Sequence, residues 1–563
     1  MRRPEVGPAP ALALVGYLAL ALALTARLWL DPGQRQPPNP PDVALFTWFL
    51  TWDAHPSLGL HASQLNVPDG VNVMAQTGVL LPGLLLAPLT RAAGAQVTYT
   101  LLLTLGPALS AWSAYLVLRR LGGLIGGGTG RSTACGTGSA GPLLGGLLYG
   151  FGPAMVAEAY GGHLQFTLAV LPPVLLLLAT EAMQGSRPPL RTGALIGLLA
   201  GAQLLIGAEL LLMTALAGMG IVMAVRPPWR RMARLLAGAI PAGLAIAGWP
   251  LVVLFLGRGA TRGNIQQTGH FQEDLAGLVV PTRLMLFHAG SAFTDRFPTG
   301  VQERTSYLGV LLLGLVGVAA VRRWSDRRVR LAVVLAAAFT VLSLGGELRV
   351  AGHRTGVALP WALVERAPVI GNMLPSRLPL LVGLAAAVIL AVGGGAAGQA
   401  WGRWGLAACG LALLPLVPAP MAAEAVTPTP RYFADRPSGT LLVLPFPTPT
   451  RIEAMRWQAA AGLSFAMPGG FFVGPGPGGQ ARFGAVPTPT STLLAEVAAG
   501  RTVRVGAAER AAFRRDVARW GVTEVVLGPS AHRHLLRATV TALVGQGAQS
   551  NRGVDVWPLP SLR

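Results

Sequence analysis

Long apolar stretches recur along this chain, near residues 10–29, 95–118, 142–160, 164–182, 192–207, 208–225, 235–256, 306–321, 331–345, 378–397 and 405–422. A helix needs about 20 predominantly apolar residues to cross a bilayer, and these stretches predict a mainly α, polytopic transmembrane bundle of about 11 spans over residues 1–423. Residues Gly78 to Thr90 are apolar but too short to cross, and are expected to be re-entrant or to lie in the interface. From Glu424 onward the pattern changes to short alternating elements. These predict strands at Thr440–Pro445, Thr523–Leu527 and Val554–Pro558, and helices at Glu509–Trp520 and Ala531–Val544. Residues 424–563 are therefore expected to form a small α/β domain, with Met467–Gln480 as an irregular Gly/Pro loop.

Composition agrees with the apolar pattern. The chain is 52% hydrophobic and 12% charged, with a mean hydropathy of +0.53, so lipid must solvate much of its surface. Its formal charge of +21 is carried by arginine, since lysine is absent. A nucleic-acid binder would cluster that charge on one soluble face, whereas here it falls in short runs between apolar stretches, which excludes nucleic acid as the expected partner. The arginine-rich connections Arg119–Arg131, Arg187–Arg191, Arg226–Arg234, Arg322–Arg330 and Arg403 are assigned to the cytoplasm, together with the N-terminus. The long loops 31–77, 257–305 and 346–377 hold most of the Asp, Glu and His and are assigned to the outside, and an odd span count puts the C-terminal domain there too. The expected location is a cell membrane crossed many times. Two cysteines, Cys135 and Cys409, have no metal-ligand spacing between them. The first apolar stretch follows Arg2 and Arg3 without a distinct cleavage pattern and reads as a retained span.

Several polar residues stand out against this background. GGGTGRST, within Gly122–Gly141, resembles a phosphate loop only superficially: Ile125 stands where the first glycine is needed and Arg131 where lysine is, so a flexible cytoplasmic linker is expected. The first external loop reads PDVALFTWFLTWDAH over 41–55 and NVPDGVN over 66–72. Residues 43–52 predict an aromatic helix lying in the headgroup layer, with Asp42 and Asp53 at its ends. Asp42 reads either as an N-cap or as a functional carboxylate, and Asp69–Gly70 as a turn. Glu158 and His163 in EAYGGH, Glu209 in IGAEL, and His270, Glu273 and Asp274 fall where spans end. Ionisable residues there usually face a cavity or a partner. Arg377, between Pro375 and Pro379, can form bidentate bonds to a lipid-linked phosphate or snorkel to headgroups.

With these residues in view, the chain resembles the C-type glycosyltransferase superfamily, and within it a group of bacterial membrane proteins. The resemblance rests on PDVALFTWFLTW, GGLLYGFGPA, GGHLQ, MLPSR, LLVLPFP and MRWQAAAGLSFAMPGG, and spans most of the chain. It implies transfer of a sugar from a polyprenyl-phosphate-linked donor to an envelope glycan, lipid or protein acceptor on the outer face, with a first-loop carboxylate as general base or metal-associated residue. By position Asp42 matches that carboxylate; the adjacent acidic pair is absent, leaving Asp53 or Glu209 as the second carboxylate. His163, Arg304 and Arg377 are the candidates for holding lipid phosphate. A divalent metal is compatible with this chemistry but not required by the sequence. The competing expectations are a transporter or flippase of a lipid-linked or polar solute, and a noncatalytic envelope scaffold.

Overall fold

A computed structural model describes residues 9–76, 78–123, 140–266, 268–435 and 437–559. Nearly all of the Gly-rich 122–141 stretch, Arg131 and Cys135 included, lies outside the described residues. The chain divides into two compact units: one of Met1–Leu30, Thr100–Gly248 and Gln266–Ala423, the other of Asp31–Tyr99, Trp249–Ile265 and Glu424–Arg563.

The first unit is helical. Among the described residues, seven helices are long and apolar enough to cross a membrane: Ala9–Trp29, Ala95–Leu121, Ala140–Gly161, Pro189–Ile206, Ala208–Val225, Trp229–Leu256 and Pro375–Val392. Leu171–Gln184 and Val310–Arg322 are apolar but shorter. Close helix approach is set by small residues. Ala9–Trp29 buries Ala13, Tyr17 and Ala21, a spacing that keeps one face inward, and this face packs with Ala108, Ala111 and Tyr115. A Cβ added at Gly146 would stand 2.5 Å from the Tyr17 hydroxyl and 2.7 Å from the Ala111 carbonyl, so only glycine fits.

Two expected spans, 378–397 and 405–422, are instead one continuous 35-residue helix, Pro379–Leu413. The arginine at 403 suggested a loop, but a lone charge does not end a helix; proline does. The first proline after Pro379 is Pro415, just beyond the observed end. Similarly, the expected 164–182 span is broken into Leu164–Thr167 and a 14-residue helix Leu171–Gln184 that carries proline in its first turn.

The second unit is built on a four-stranded sheet, in the order Gln549–Asn551, Val554–Pro558, Glu524–Leu527, Leu441–Leu444. Glu524–Leu527 runs parallel to Leu441–Leu444 and antiparallel to Val554–Pro558. Alternate side chains of a strand point to opposite faces, and both faces are buried here. Leu442, Leu444, Val525 and Leu527 pack with Leu494, Val517 and Leu536 from the helices Pro489–Ala498, Ala507–Trp520 and Arg533–Val544. Leu441, Val443 and Val526 pack with Trp48, Trp52, Phe433 and Trp457. Residues 424–563 thus share one core with the first loop.

That core explains the helix Pro40–Asp53, in which every residue from Val43 to Asp53 is buried. Its aromatic residues were expected to anchor it among lipid headgroups; they are covered by protein instead. Trp48 donates its Nε1 proton to Gln458 Oε1 at 2.7 Å, Trp52 donates to the Gly59 carbonyl at 2.9 Å, and the two rings stack 5.6 Å apart. A helix that is apolar on all sides is a buried helix. The 78–90 stretch forms two short helices, Leu80–Leu85 and Ala87–Ala93, that pack on this one.

Candidate functional site

In the helical unit, sequence-distant acidic residues converge on Arg377. Assembly begins at EAYGGH. The helix Pro153–Gly161 ends with Gly162 in the left-handed conformation (φ +74°). Gly162 N–H bonds the Ala159 carbonyl at 3.1 Å and His163 N–H bonds the Glu158 carbonyl at 3.0 Å, a Schellman closure. The turn folds the imidazole back onto its own helix, where His163 Nδ1 and Glu158 Oε2 lie 2.7 Å apart.

Arg377 reaches this pair from the 3₁₀ turn Pro375–Arg377. Its Nη1 donates to Glu209 Oε2 at 2.9 Å, its Nη2 to Glu303 Oε1 at 3.2 Å and its Nε to Glu303 Oε2 at 3.4 Å, with Glu158 Oε1 at 3.8 Å. The guanidinium also lies 4.5 Å from the Phe166 ring centre, a cation–π contact. Glu209, in the first turn of Ala208–Val225, uses its other oxygen to accept the Leu374 N–H at 2.8 Å. Glu303 Oε1 stands 3.9 Å from His163 Nε2. Three carboxylates therefore surround one guanidinium, giving −2 with the imidazole neutral and −1 with it protonated. Any anion binding Arg377 must compete with Glu209 and Glu303.

A fourth buried carboxylate joins this cluster through hydroxyl groups. Glu273 Oε1 accepts from Thr305 N–H at 2.7 Å and Oε2 from the Ser306 hydroxyl at 2.7 Å. Burial pushes its carboxyl up to about 7, against these hydrogen bonds. The Thr305 hydroxyl sits within bonding distance of both Glu273 Oε1 and the Ser376 carbonyl, and its single proton serves one at a time. Protonated Glu273 relieves that conflict by donating to the Thr305 oxygen. Ser376 in turn donates to Glu303 Oε2 at 3.4 Å.

Of the residues named from sequence, Glu158, His163, Glu209 and Arg377 thus come together in one cluster, and Glu273 joins it through Thr305 and Ser376. Arg304 turns elsewhere: its Nε donates to the Thr299 carbonyl at 2.9 Å, its Nη1 lies 3.3 Å from Asp295 Oδ1, and burial lowers its basicity. Sequence reasoning did not single out Glu303. It lies in a polar loop without periodicity, and its partners lie far away in the chain.

The second unit holds Asp42 and Asp53. The N-cap of Pro40–Asp53 is Asn39, not Asp42; Asp42 is the third helical residue, and Asn39 Nδ2 donates to its Oδ2 at 2.5 Å. Buried Arg456, on helix Glu453–Ala460, donates through Nη2 to the Pro40 carbonyl at 3.0 Å and to Gln36 Oε1, while its Nε has no hydrogen-bond partner among the described residues. Burial lowers its pKa to about 10. Asp42 and Arg456 both lie within electrostatic reach of the Tyr99 hydroxyl, and Tyr99 is fully buried. Gln36, Asn39, Asp42, Tyr99 and Arg456 therefore form one polar nest in an apolar core. Asp53 is not part of it. It lies eleven positions further along the helix, roughly 16 Å of rise from Asp42. Its Oδ2 is buried without a partner, and burial holds its carboxyl well above the usual range. Among the described residues no three His, Cys, Asp or Glu side chains converge as metal ligands.

No protein-family model matches the chain, and no curated protein matches it significantly. Solved structures do. The cryo-EM structure of arabinofuranosyltransferase AftD from Mycobacteria superposes with a TM-score of 0.54 at 17% identity, covering 98% of this chain and 40% of that one. A structure of a substituted form of the same enzyme gives 0.53 at 16%, covering 99% and 42%. This chain thus spans about two-fifths of the length of the structures it matches. Over nearly its whole length it shares the fold of these arabinofuranosyltransferase structures.

Proposed function

We propose that the chain is a multi-pass membrane glycosyltransferase that moves a sugar from a polyprenyl-phosphate-linked donor to an envelope glycan, lipid or protein acceptor. The observation that carries this reading is the nest around Asp42: an acid with some exposure, fixed by Asn39 at the start of a buried helix, with a buried guanidinium close by. Fold likeness to arabinofuranosyltransferases over 98% of the chain supports the reaction class.

In this reading Asp42 takes the proton of the acceptor hydroxyl as its oxygen bonds to the anomeric carbon. The bond from that carbon to the lipid phosphate breaks, and the polyprenyl phosphate leaves with the electron pair. Arg456, held by a carbonyl and an amide rather than by a carboxylate, can offset the charge released there. Arg377, already engaged by carboxylates, holds the elements of the helical unit in place. The arginine-rich connections face the cytoplasm, and the Asp42 nest and residues 424–563 face outward.

The test is consumption of polyprenyl-phosphate-linked sugar by purified protein. Asp42→Asn keeps size and a bond to Asn39 while removing the base, so turnover should fall at least a hundredfold with the unfolding midpoint unchanged. Wild-type turnover in that variant would remove Asp42 from the mechanism. No consumption by the wild-type protein would remove the transferase reading.

A further inference from the structure

The sheet-bearing unit contains a cleft that the transfer reaction does not use. Three features of residues 446–501 enclose about 410 Å³ between them: the tight turn Thr448–Arg451, the end of the strand Ala481–Phe483 with the loop that follows it, and the helix Pro489–Ala498. That volume is typical of small-molecule sites. We infer that this cleft binds an anionic saccharide, one bearing carboxylate or phosphate groups.

The charge on its walls carries the first half of the argument. Arg451, Arg482 and Arg501 line it, with Glu496 as its one acidic wall residue, a balance of +2. Arg482 stands across the hairpin from Gly474, and its Nε is buried without a hydrogen-bond partner among the described residues. Arg451 has no ion-pair partner among the described residues, and Arg501 meets Glu496 only through an exposed 3.5 Å contact. Three guanidinium groups on the walls of one cleft, with a single carboxylate among them, leave positive charge that an oxyanion accepting paired N–H bonds neutralises.

Shape and apolar surface carry the second half. The cleft exceeds what a lone oxyanion fills, and Phe446 and the half-exposed Phe483 line the remainder. An aromatic face is electron-rich and meets the C–H-bearing face of a pyranose ring. Helix Pro489–Ala498 cannot serve as the anion site through its own N-terminus. Its Ser491 N–H is taken by Thr488 Oγ1 and its Thr490 N–H by Asp516 Oδ2. The arginines must do the work.

The inference does not depend on the transferase reading, and direct binding tests it alone. The full chain in nanodiscs is titrated calorimetrically with an oligogalacturonate, its neutral methyl ester, a phosphate-bearing oligosaccharide of similar length, and inorganic phosphate. At least one charged saccharide should bind ten times or more tightly than the ester and than phosphate, and weaken with added salt; which one binds identifies the anion. Arg451→Gln with Arg482→Gln should abolish binding, Arg451→Lys with Arg482→Lys should retain part of it, and Arg537→Gln, on an exposed helix face, should leave it intact. Equal binding of ester and acid, phosphate binding as tightly as the saccharide, or full binding by the double Gln variant at an unchanged unfolding midpoint would each overturn the inference.

Discussion

Arg377 and Glu209 are 168 residues apart in sequence and 2.9 Å apart in space. Removing the arginine leaves three carboxylates without their shared counter-charge, whereas removing Glu209 leaves Arg377 with two carboxylates still beside it. Arg377→Gln strands Glu158, Glu209 and Glu303 together and should cost about 3 kcal/mol. Glu209→Gln lowers the excess of negative charge and should cost less. In the double variant the two losses should not add, and unfolding midpoints of the four proteins in detergent measure the coupling. Strict additivity would mean that the pair does not interact.

Glu273 should make stability depend on pH. Its carboxyl is raised from 4.5 to about 7 in the folded protein, so folding favours the protonated form. The stabilisation is complete below pH 4.5 and is lost as pH rises through 7, about 3 kcal/mol in all. Glu273→Gln keeps the shape and cannot ionise. Between pH 5 and 8 the wild-type midpoint should fall relative to the variant, which should be the more stable at pH 8. Parallel curves would contradict this.

Gly83 and Asp53 should be coupled sterically. A Cβ at position 83 would stand 2.2 Å from Asp53 Oδ2 and 2.8 Å from its Cβ. Gly83→Ala should therefore destabilise by about 1–3 kcal/mol, as overpacking does. Adding Asp53→Ala removes the carboxyl oxygen and carbon but keeps the Cβ at 2.8 Å, and should restore part of the loss. If the double variant is no better than Gly83→Ala alone, the clash is not the cause.

Reporter fusions test the orientation inferred from the arginine runs. A fusion after Arg323 should report cytoplasm and one after Ala434 the outside. The same compartment at both positions would refute the assignment.

Where local pattern decides structure, the sequence was easy to read. The short apolar runs at Leu441–Leu444 and Glu524–Leu527 marked strands, and both are there. The Gly-Gly turn of EAYGGH carries its own geometry, which is why Glu158 and His163 are paired. Pro40–Asp53 was legible as a helix but not in its surroundings: lipid and a protein core reward the same apolar surface, and the choice rested on Trp457 and Phe433, which lie about 400 residues later. Glu303 was hidden for the opposite reason. A buried ion cluster has no local period, and only the fold places residue 303 beside 158, 209 and 377.

The core shared by the first loop and the C-terminal residues also fixes an order of events during synthesis. The strand Arg35–Gln36 pairs with Glu424–Ala425, and Trp48 finds its acceptor on Gln458, 410 residues further along. A ribosome adding roughly 5–20 residues per second needs about 20–80 s to deliver that partner. Through this interval the nascent chain carries an apolar helix that its own residues 58–93 cover only in part. Such surface invites aggregation or holding by a chaperone, and shortening the wait, rather than strengthening the finished core, is the direct way to raise the yield of folded protein.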